Sequence, residues 1–269
     1  MNYTIIAQQV VNLCRGVGKF IRDESGRIQR TDIEEKGLHD LVSYVDRTAE
    51  KMLIDELKKM IPDAGFIAEE SGTIESAKYR WIIDPLDGTT NFIHKIPLFS
   101  ISIALQEDGK TVIGVVYEVN QDECFYAWKS GNAYLNGKQI QVSSTNSLSD
   151  SLIATGFPYY DFSRLKPYLS FFEYLLKNTR GIRRLGSAAV DLAYVACGRF
   201  EAFYEYGLHP WDVAAGAFIV ERAGGQCSGF DGSDEVVFGK DILATNTLVH
   251  NEIKEKLIEI FKPEVSADV

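Results

Sequence analysis

No run of about 18 consecutive apolar residues occurs in this chain, so no segment is expected to cross a membrane as a helix. The first residues, Met1-Asn2-Tyr3-Thr4, lack a basic region leading into an apolar block, and no secretory signal is expected. Cysteine is sparse. Cys14, Cys124, Cys197 and Cys227 are scattered without metal-ligand spacing or a disulfide framework, the pattern of free core thiols in a reducing cytoplasm. Positive charge is in deficit, with 28 Lys and Arg against 38 Asp and Glu and a net charge of −10. Domains that grip nucleic acid by neutralising phosphates carry the opposite sign, so direct nucleic-acid contact is not expected, nor is an anionic membrane surface. The chain also has no internal repeat and no low-complexity tract.

What is present reads as a globular, cytoplasmic protein. The 269 residues are 45% hydrophobic and 25% charged, ordinary proportions for a packed chain. At about 150 residues per domain this length suits one large domain or two smaller ones. Ile6, Val10, Leu13, Val17, Phe20 and Ile21 recur at helical spacing, and a second helix is predicted from about Val42 to Met60, stopped by Pro62. Short β-rich runs follow at Phe66-Ile67, Trp81 to Ile83, Ile101 to Leu105, Val112 to Tyr117, Cys124 to Trp128 and Ala133 to Leu135. Asp108-Gly109 and Asn136-Gly137 read as hairpin turns. The polar stretch from Ser143 to Ser151 is the best candidate boundary. Beyond it, strands at Leu152, Ile182, Ala202 and Ile242 alternate with helices at Leu165 to Leu176, from Ala188, from Trp211 to Ala223 and from His250, which favours a sheet covered on both faces.

The chemistry is concentrated in acidic residues. In Trp81-Ile82-Ile83-Asp84-Pro85-Leu86-Asp87-Gly88-Thr89-Thr90-Asn91-Phe92, an apolar strand delivers Asp84, and Pro85 with Gly88 bends the chain so that Asp87 returns to the same side. Gly88-Thr89-Thr90 offers backbone N–H groups to an anion at a helix start. Taken alone, Asp-Pro-Leu-Asp-Gly is also a good surface turn. Two acceptor-only carboxylates beside an anion cradle make sense when divalent cations lie between them, and Mg²⁺ shares carboxylates with phosphate oxygens in this way. Two more acidic sites support that reading: Glu69-Glu70-Ser71 ends another apolar run, and Asp212 opens a helix after His209-Pro210-Trp211, where it could equally serve as a cap. Phosphatases of the haloacid dehalogenase type separate their two aspartates by one residue. Here two residues intervene, so an aspartyl nucleophile is not expected.

Glu69-Glu70-Ser71, the Trp81 to Phe92 block and Trp211-Asp212-Val213-Ala214-Ala215-Gly216 together resemble the three signature blocks of the inositol monophosphatase family. Gly186-Ser187-Ala188-Ala189 and Glu205 fall where that family keeps its substrate-binding segment, and the resemblance runs from the first helix to about Asn246. It implies an α+β fold, a layered αβαβα sandwich with an antiparallel N-terminal sheet and a C-terminal α/β layer. Residues 1–150 would carry most metal ligands, and 151–269 the substrate-binding residues and the last ligand. By similarity, Glu69, Asp84 and the Leu86 carbonyl hold a first Mg²⁺, Asp84, Asp87 and Asp212 a second, and a third sits near Glu69. Thr89, supported by Asp46, helps Glu69 position or deprotonate the attacking water. Gly88 and Thr89 donate to the phosphate, while Asp87, Ala188, Glu205 and Asp212 contact the polyol. Glu35 stands where the family keeps a lysine and Lys36 is one residue later, so Lys36 receives no role.

The resemblance implies a Mg²⁺-dependent, Li⁺-sensitive phosphomonoesterase acting on myo-inositol monophosphate as a homodimer. The alternatives are a relative acting on fructose 1,6-bisphosphate, adenosine 3′,5′-bisphosphate, histidinol phosphate or another small phosphomonoester, or a regulatory binding protein on the same fold. Asp46 could also be a plain helix-start carboxylate, and Glu205 a solvated strand end. Arg183 and Arg184 could bind a phosphate but are rather expected to frame a subunit interface or strand end, and Phe157 to Tyr160 are expected to form a loop beside the site, where the aromatics equally suit plain packing. His39, His94, His209 and His250 have no metal-site spacing. The acid excess also fits: two to three Mg²⁺ ions bring about +4 to +6 against four site carboxylates, so an acidic chain can accept an anionic substrate once loaded.

Overall fold

A computed structural model describes residues 1–28, 33–37, 40–76 and 78–262, without the side chains of residues 33–42. Helix α1 (Tyr3–Ser25) is followed by a ribbon of β1 (Ile33–Gly37) and β2 (Asp40–Ser43), then by α2 (Tyr44–Met60). Strands β3 (Gly65–Ala68), β4 (Gly72–Ile74), β5 (Tyr79–Asp87), β6 (Ser100–Glu107), β7 (Lys110–Glu118), β8 (Glu123–Trp128), β9 (Ala133–Leu135) and β10 (Lys138–Ile140) build an eight-stranded sheet in the order β10-β9-β8-β7-β6-β5-β3-β4. Every pairing in it is antiparallel except β3 with β5. The short helix α3 (Thr89–Ile93) follows β5 directly.

The second sheet, ordered β12-β11-β13-β15-β14, joins β11 (Leu152–Thr155), β12 (Gly181–Arg183), β13 (Ala202–Tyr206), β14 (Gln226–Ser228) and β15 (Asp241–Thr245). Between its strands run α4 (Leu165–Asn178), α5 (Ala188–Ala196) and α6 (Pro210–Arg222), and α7 (His250–Phe261) follows β15.

Alternation along the strands assigns the layers, because neighbouring side chains point to opposite faces. Trp81, Ile83, Ile103 and Val115 pack with Val10, Cys14 and Leu53 from α1 and α2. Their neighbours Ile82, Ala104, Val116 and Phe125 pack with Leu192 of α5 and Ala215 of α6, together with Phe203 and Ile242 from one face of the second sheet. Tyr204 and Leu243, on the other face, pack with Phe171 of α4 and Leu257 of α7. The result is helix, sheet, helix, sheet, helix, the αβαβα sandwich expected from the family resemblance.

Boundaries differ from the sequence reading where caps and edges intervene. The second helix starts at Tyr44 because Ser43 is its cap, with Ser43 Oγ accepting from the Val45 N–H at 3.1 Å. Strands β4, β10 and β14, absent from the sequence reading, lie at sheet ends and are three residues long; the side chains of β4 and β10 are mostly exposed, and those of β14 run from exposed to buried. Runs this short carry too little apolar alternation to announce a strand.

Candidate active site

Asp84 and Asp87 lie three positions apart on β5, a spacing that sends side chains to opposite faces of a regular strand. A β-bulge corrects this. Asp84 pairs with Ser102 and Asp87 with Ser100, so one extra residue of β5 lies between these pairs, next to Pro85. Both carboxylates thereby reach one cleft while Leu86 turns into the core. Asp84 Oδ1 accepts from the Leu86 N–H at 2.9 Å, which fixes the carboxylate against the bend. Gly88 then takes φ +96°, a region costly for any residue with a Cβ, and starts α3.

The second half of the chain brings two helix N-termini to these carboxylates. Ser187 caps α5 by accepting from the Val190 N–H, and its own hydroxyl donates to Asp87 Oδ2 at 2.6 Å. The Ala189 N–H donates to the same oxygen at 2.8 Å. In α6, Asp212 Oδ2 accepts from the His209 N–H at 2.7 Å. Two buried serines of β6 lie beside these contacts: Ser100 Oγ is 3.2 Å from Ser187 Oγ, and Ser102 donates to the Trp211 carbonyl at 3.0 Å. The rungs of β6 that face Asp84 and Asp87 therefore also fix the helices that complete the cleft.

That cleft has a volume of about 520 Å³. Glu69, Asp84, Leu86, Asp87 and Asp212 line it, as do Gly88, Thr89, Ala188 and Glu205. Asp46 lies outside the lining, buried beneath it, where its Oδ1 accepts from the Thr89 hydroxyl at 3.1 Å and its Oδ2 holds Ser43. The Thr89 hydroxyl also lies 2.9 Å from the Leu86 carbonyl, so one proton serves two acceptors. Phe157 and Tyr160 line the mouth as expected. Glu35, Lys36 and His39 lie outside the residues whose side chains are described.

Burial and mutual repulsion raise the carboxylate pKa values. Glu69 is pushed well above the usual range by burial first, then by Asp212, Glu70 and Asp46, although it shares a hydrogen bond with Asp84. Asp84 is raised by burial and by Glu69, Asp87 and Asp212. Asp212 is pushed up to about 7 by burial and the charge of Asp87. Burial raises Asp87 as well, opposed by its bonds from Ser187 and Ala189.

Among the described residues no group of three or more His, Cys, Asp or Glu side chains is already gathered as a metal cage. The fit to a cation rests instead on donor chemistry and charge. Every donor is a hard carboxylate or carbonyl oxygen, the set taken by Mg²⁺ and not the one sought by softer metals. Acids crowd Glu69 and Asp84, and a divalent cation among them would relieve the repulsion.

Four participants were given no site role from the sequence. Ser100 gave no signal beyond its small polar side chain, while Ser187 lay within the Gly186 to Ala189 segment that the family resemblance marked, without its contact to Asp87 being legible. Arg184, expected at an interface or strand end, lines the cleft, with its guanidinium 5.6 Å from the Phe157 ring and hydrogen-bonded to the Tyr159 hydroxyl. Arg183 does stay at the strand end, donating to the Ile182 carbonyl at 3.0 Å. Asp191 on α5 also lines the cleft. Its sequence signal was a charged residue within the apolar run Ala188 to Ala196.

The family model of the inositol monophosphatase family matches residues 3–266. The chain is 38% identical over 260 residues to the inositol-1-monophosphatase of Mesorhizobium japonicum, covering 96% of each chain. It is 40% identical over 250 residues to the fructose-1,6-bisphosphatase/inositol-1-monophosphatase of Thermotoga maritima, covering 93% of this chain and 94% of that one. Among solved structures, the extragenic suppressor protein suhB of Bartonella henselae superposes with a TM-score of 0.90 at 39% identity, covering 94% of this chain and 98% of that chain.

Proposed function

The chain belongs to the inositol monophosphatase family, and on that premise we propose that it is a Mg²⁺-dependent phosphatase releasing inorganic phosphate from myo-inositol monophosphate. The observation that carries this reading is the convergence of Glu69, Asp84, Asp87 and Asp212 on one cleft that Gly88, Thr89 and Glu205 also line. Glu69, Asp84 and the Leu86 carbonyl would hold one Mg²⁺, Asp84, Asp87 and Asp212 a second, and Glu69 would border a third. Bound there, the ions supply positive charge that neutralises the phosphate and acidifies water.

The residues of the chain supply the rest. Glu69 accepts a proton from the attacking water, as a carboxylate lining the cleft together with Asp84 and Thr89. The Thr89 hydroxyl, oriented by Asp46, accepts from that water. Backbone N–H groups of Gly88 and Thr89 orient the phosphate, and positioning of this kind is most of what phosphoryl transfer needs. Asp87, Ala188, Glu205 and Asp212 receive the alcohol, whose hydroxyls are donors that suit carboxylates. Inhibition by Li⁺, a homodimeric state and a cytoplasmic setting belong to the same proposal.

A phosphate-release screen with Mg²⁺ over inositol, sugar and nucleotide phosphates, repeated with Li⁺, tests it. Inositol monophosphate should be the preferred substrate. Preference for fructose 1,6-bisphosphate, which the name of the Thermotoga relative supports as second reading, would replace it. Asp87→Asn keeps an oxygen to accept from Ser187 and Ala189 but removes a charged ligand. Its kcat/KM should fall by more than the roughly 10–100-fold typical of losing an outer-shell metal partner. Wild-type turnover would end the metal assignment.

A further inference from the structure

Glu50 of α2 is 3% exposed, one helical turn after Asp46. A carboxylate taken that far from water is costly unless hydrogen bonds compensate it, and an apolar residue would pack the same face of α2 without that cost. Glu50 does not line the cleft. Its Oε2 accepts from the Glu70 backbone N–H at 2.8 Å.

That bond falls on the turn that carries Glu69. Ala68 of β3 pairs with Gly72 of β4, so Glu69, Glu70 and Ser71 connect the two strands. The connection lies at the end of the sheet, because β4 is the last strand and all three of its residues are exposed. The Glu69 N–H reaches the Ile83 carbonyl of β5 at 3.3 Å, a long bond, and the next N–H is the one that Glu50 takes. Helix α2 is a firm base for this hold, since Ala49 and Leu53 pack in the core with Phe66 and Ala68 of β3. Side chains four positions apart on a helix share a face. On that face Asp46 Oδ1 accepts from the Thr89 hydroxyl at 3.1 Å. One helix face therefore holds both the turn of Glu69 and the hydroxyl of Thr89. A water that donates to both needs both within hydrogen-bond reach at once.

We propose that Glu50 is a positioning residue: through the Glu70 N–H it fixes the Glu69 to Ser71 turn, and with Asp46 it makes α2 the element that sets Glu69 against Thr89. The proposal rests on the phosphatase reading given above and adds the support that reading lacks.

The test compares the parent with Glu50→Met and Glu50→Ala, which remove the acceptor, and with Glu50→Gln, which keeps one oxygen for the Glu70 N–H. With saturating Mg²⁺, kcat on myo-inositol 1-phosphate should fall roughly 10–100-fold in Glu50→Met and Glu50→Ala, the scale of losing an outer-shell partner, with KM little changed. Mg²⁺ binding measured by calorimetry without substrate should weaken in the same two variants. Glu50→Gln should recover most of both losses. Parent-like kcat and Mg²⁺ affinity in Glu50→Met or Glu50→Ala overturns the proposal, as does an equal loss in Glu50→Gln, which would assign the effect to charge. Failure of both acceptor-free variants to fold would make Glu50 a stability residue and overturn it too. A parent that binds Mg²⁺ but releases phosphate from no monoester overturns the phosphatase reading instead, and the Mg²⁺ affinities then still decide whether Glu50 holds Glu69 in place.

Discussion

Asp46 and Asp212 occupy the same place in two helices, the third residue of the first turn, and each accepts from the backbone N–H of its capping residue, at 2.9 Å from Ser43 and 2.7 Å from His209. The helix-start role and the site role that the sequence left open for them are compatible, because a carboxylate has two oxygens. Capping holds one oxygen and so aims the other without further ordering cost. His250 shows residue-scale physics away from the site. It is buried, its Nδ1 lies 3.0 Å from Thr245 Oγ1, its Nε2 has no partner among the described residues, and burial, aided by Lys254, lowers its pKa from 6.5 to about 4. The unfolded chain therefore binds this proton more readily than the folded one. The stability contribution is present above about pH 6.5 and is lost as pH falls toward about 4. Melting temperatures measured across that range should converge between the parent and His250→Gln as pH falls. A pH-independent difference would mean that His250 does not titrate in this window.

At the scale of elements, β11 and β13 run side by side, Thr155 opposite Tyr204, so the residue after β11 meets the carboxylate that β13 carries. Gly156→Ala should leave the fold intact, since Gly156 has an ordinary backbone and the group it strikes is the flexible end of Glu205. Displacing that carboxylate by about 1 Å or more should cost up to roughly 10²-fold in kcat/KM on inositol phosphate. An unaltered kcat/KM would show that the exact seat of Glu205 does not matter. The central strands were legible because both faces are buried and their apolar runs are long, as in Ser100–Glu107 and Lys110–Glu118. The bulge was legible in part: Asp-Pro-Leu-Asp-Gly announced a bend, but the extra residue that puts both aspartates on one face is defined only against Ser100 and Ser102.

For the whole molecule, the decisive feature is the middle layer, in which α5 and α6 are shared by the two sheets. Residues 1–150 alone would leave Ile82, Val116 and Phe125 uncovered. At about 1.5–3 kcal/mol for each large side chain, such losses rival a typical net stability of about 5–15 kcal/mol. A fragment of residues 1–150 should therefore lack a cooperative thermal transition and bind a hydrophobic dye, and adding 151–269 should restore both folding and activity. A cooperative melt of the first fragment would show that the layer is dispensable to its fold. The net charge of −10 belongs to this scale too. Part of it is gathered in the cleft, on Glu69, Asp84, Asp87 and Asp212.

The sequence by itself determined one side of the candidate site, because Asp84, Asp87, Gly88 and Thr89 lie within one strand-turn-helix whose geometry is local, and because Glu69 follows a neighbouring parallel strand. Its apolar periods also announced most of the helices and central strands, while their layering was implied by the family resemblance. On the other side of the cleft the family resemblance had named Ala188, Glu205 and Asp212, and only the tertiary structure decided what surrounds them. Ser187 and Ala189 reach Asp87 across about a hundred positions of chain, and Arg184 and Asp191 come to line the cleft. Contacts of that range depend on how α5 packs between two sheets, and no local pattern of residue types encodes that docking.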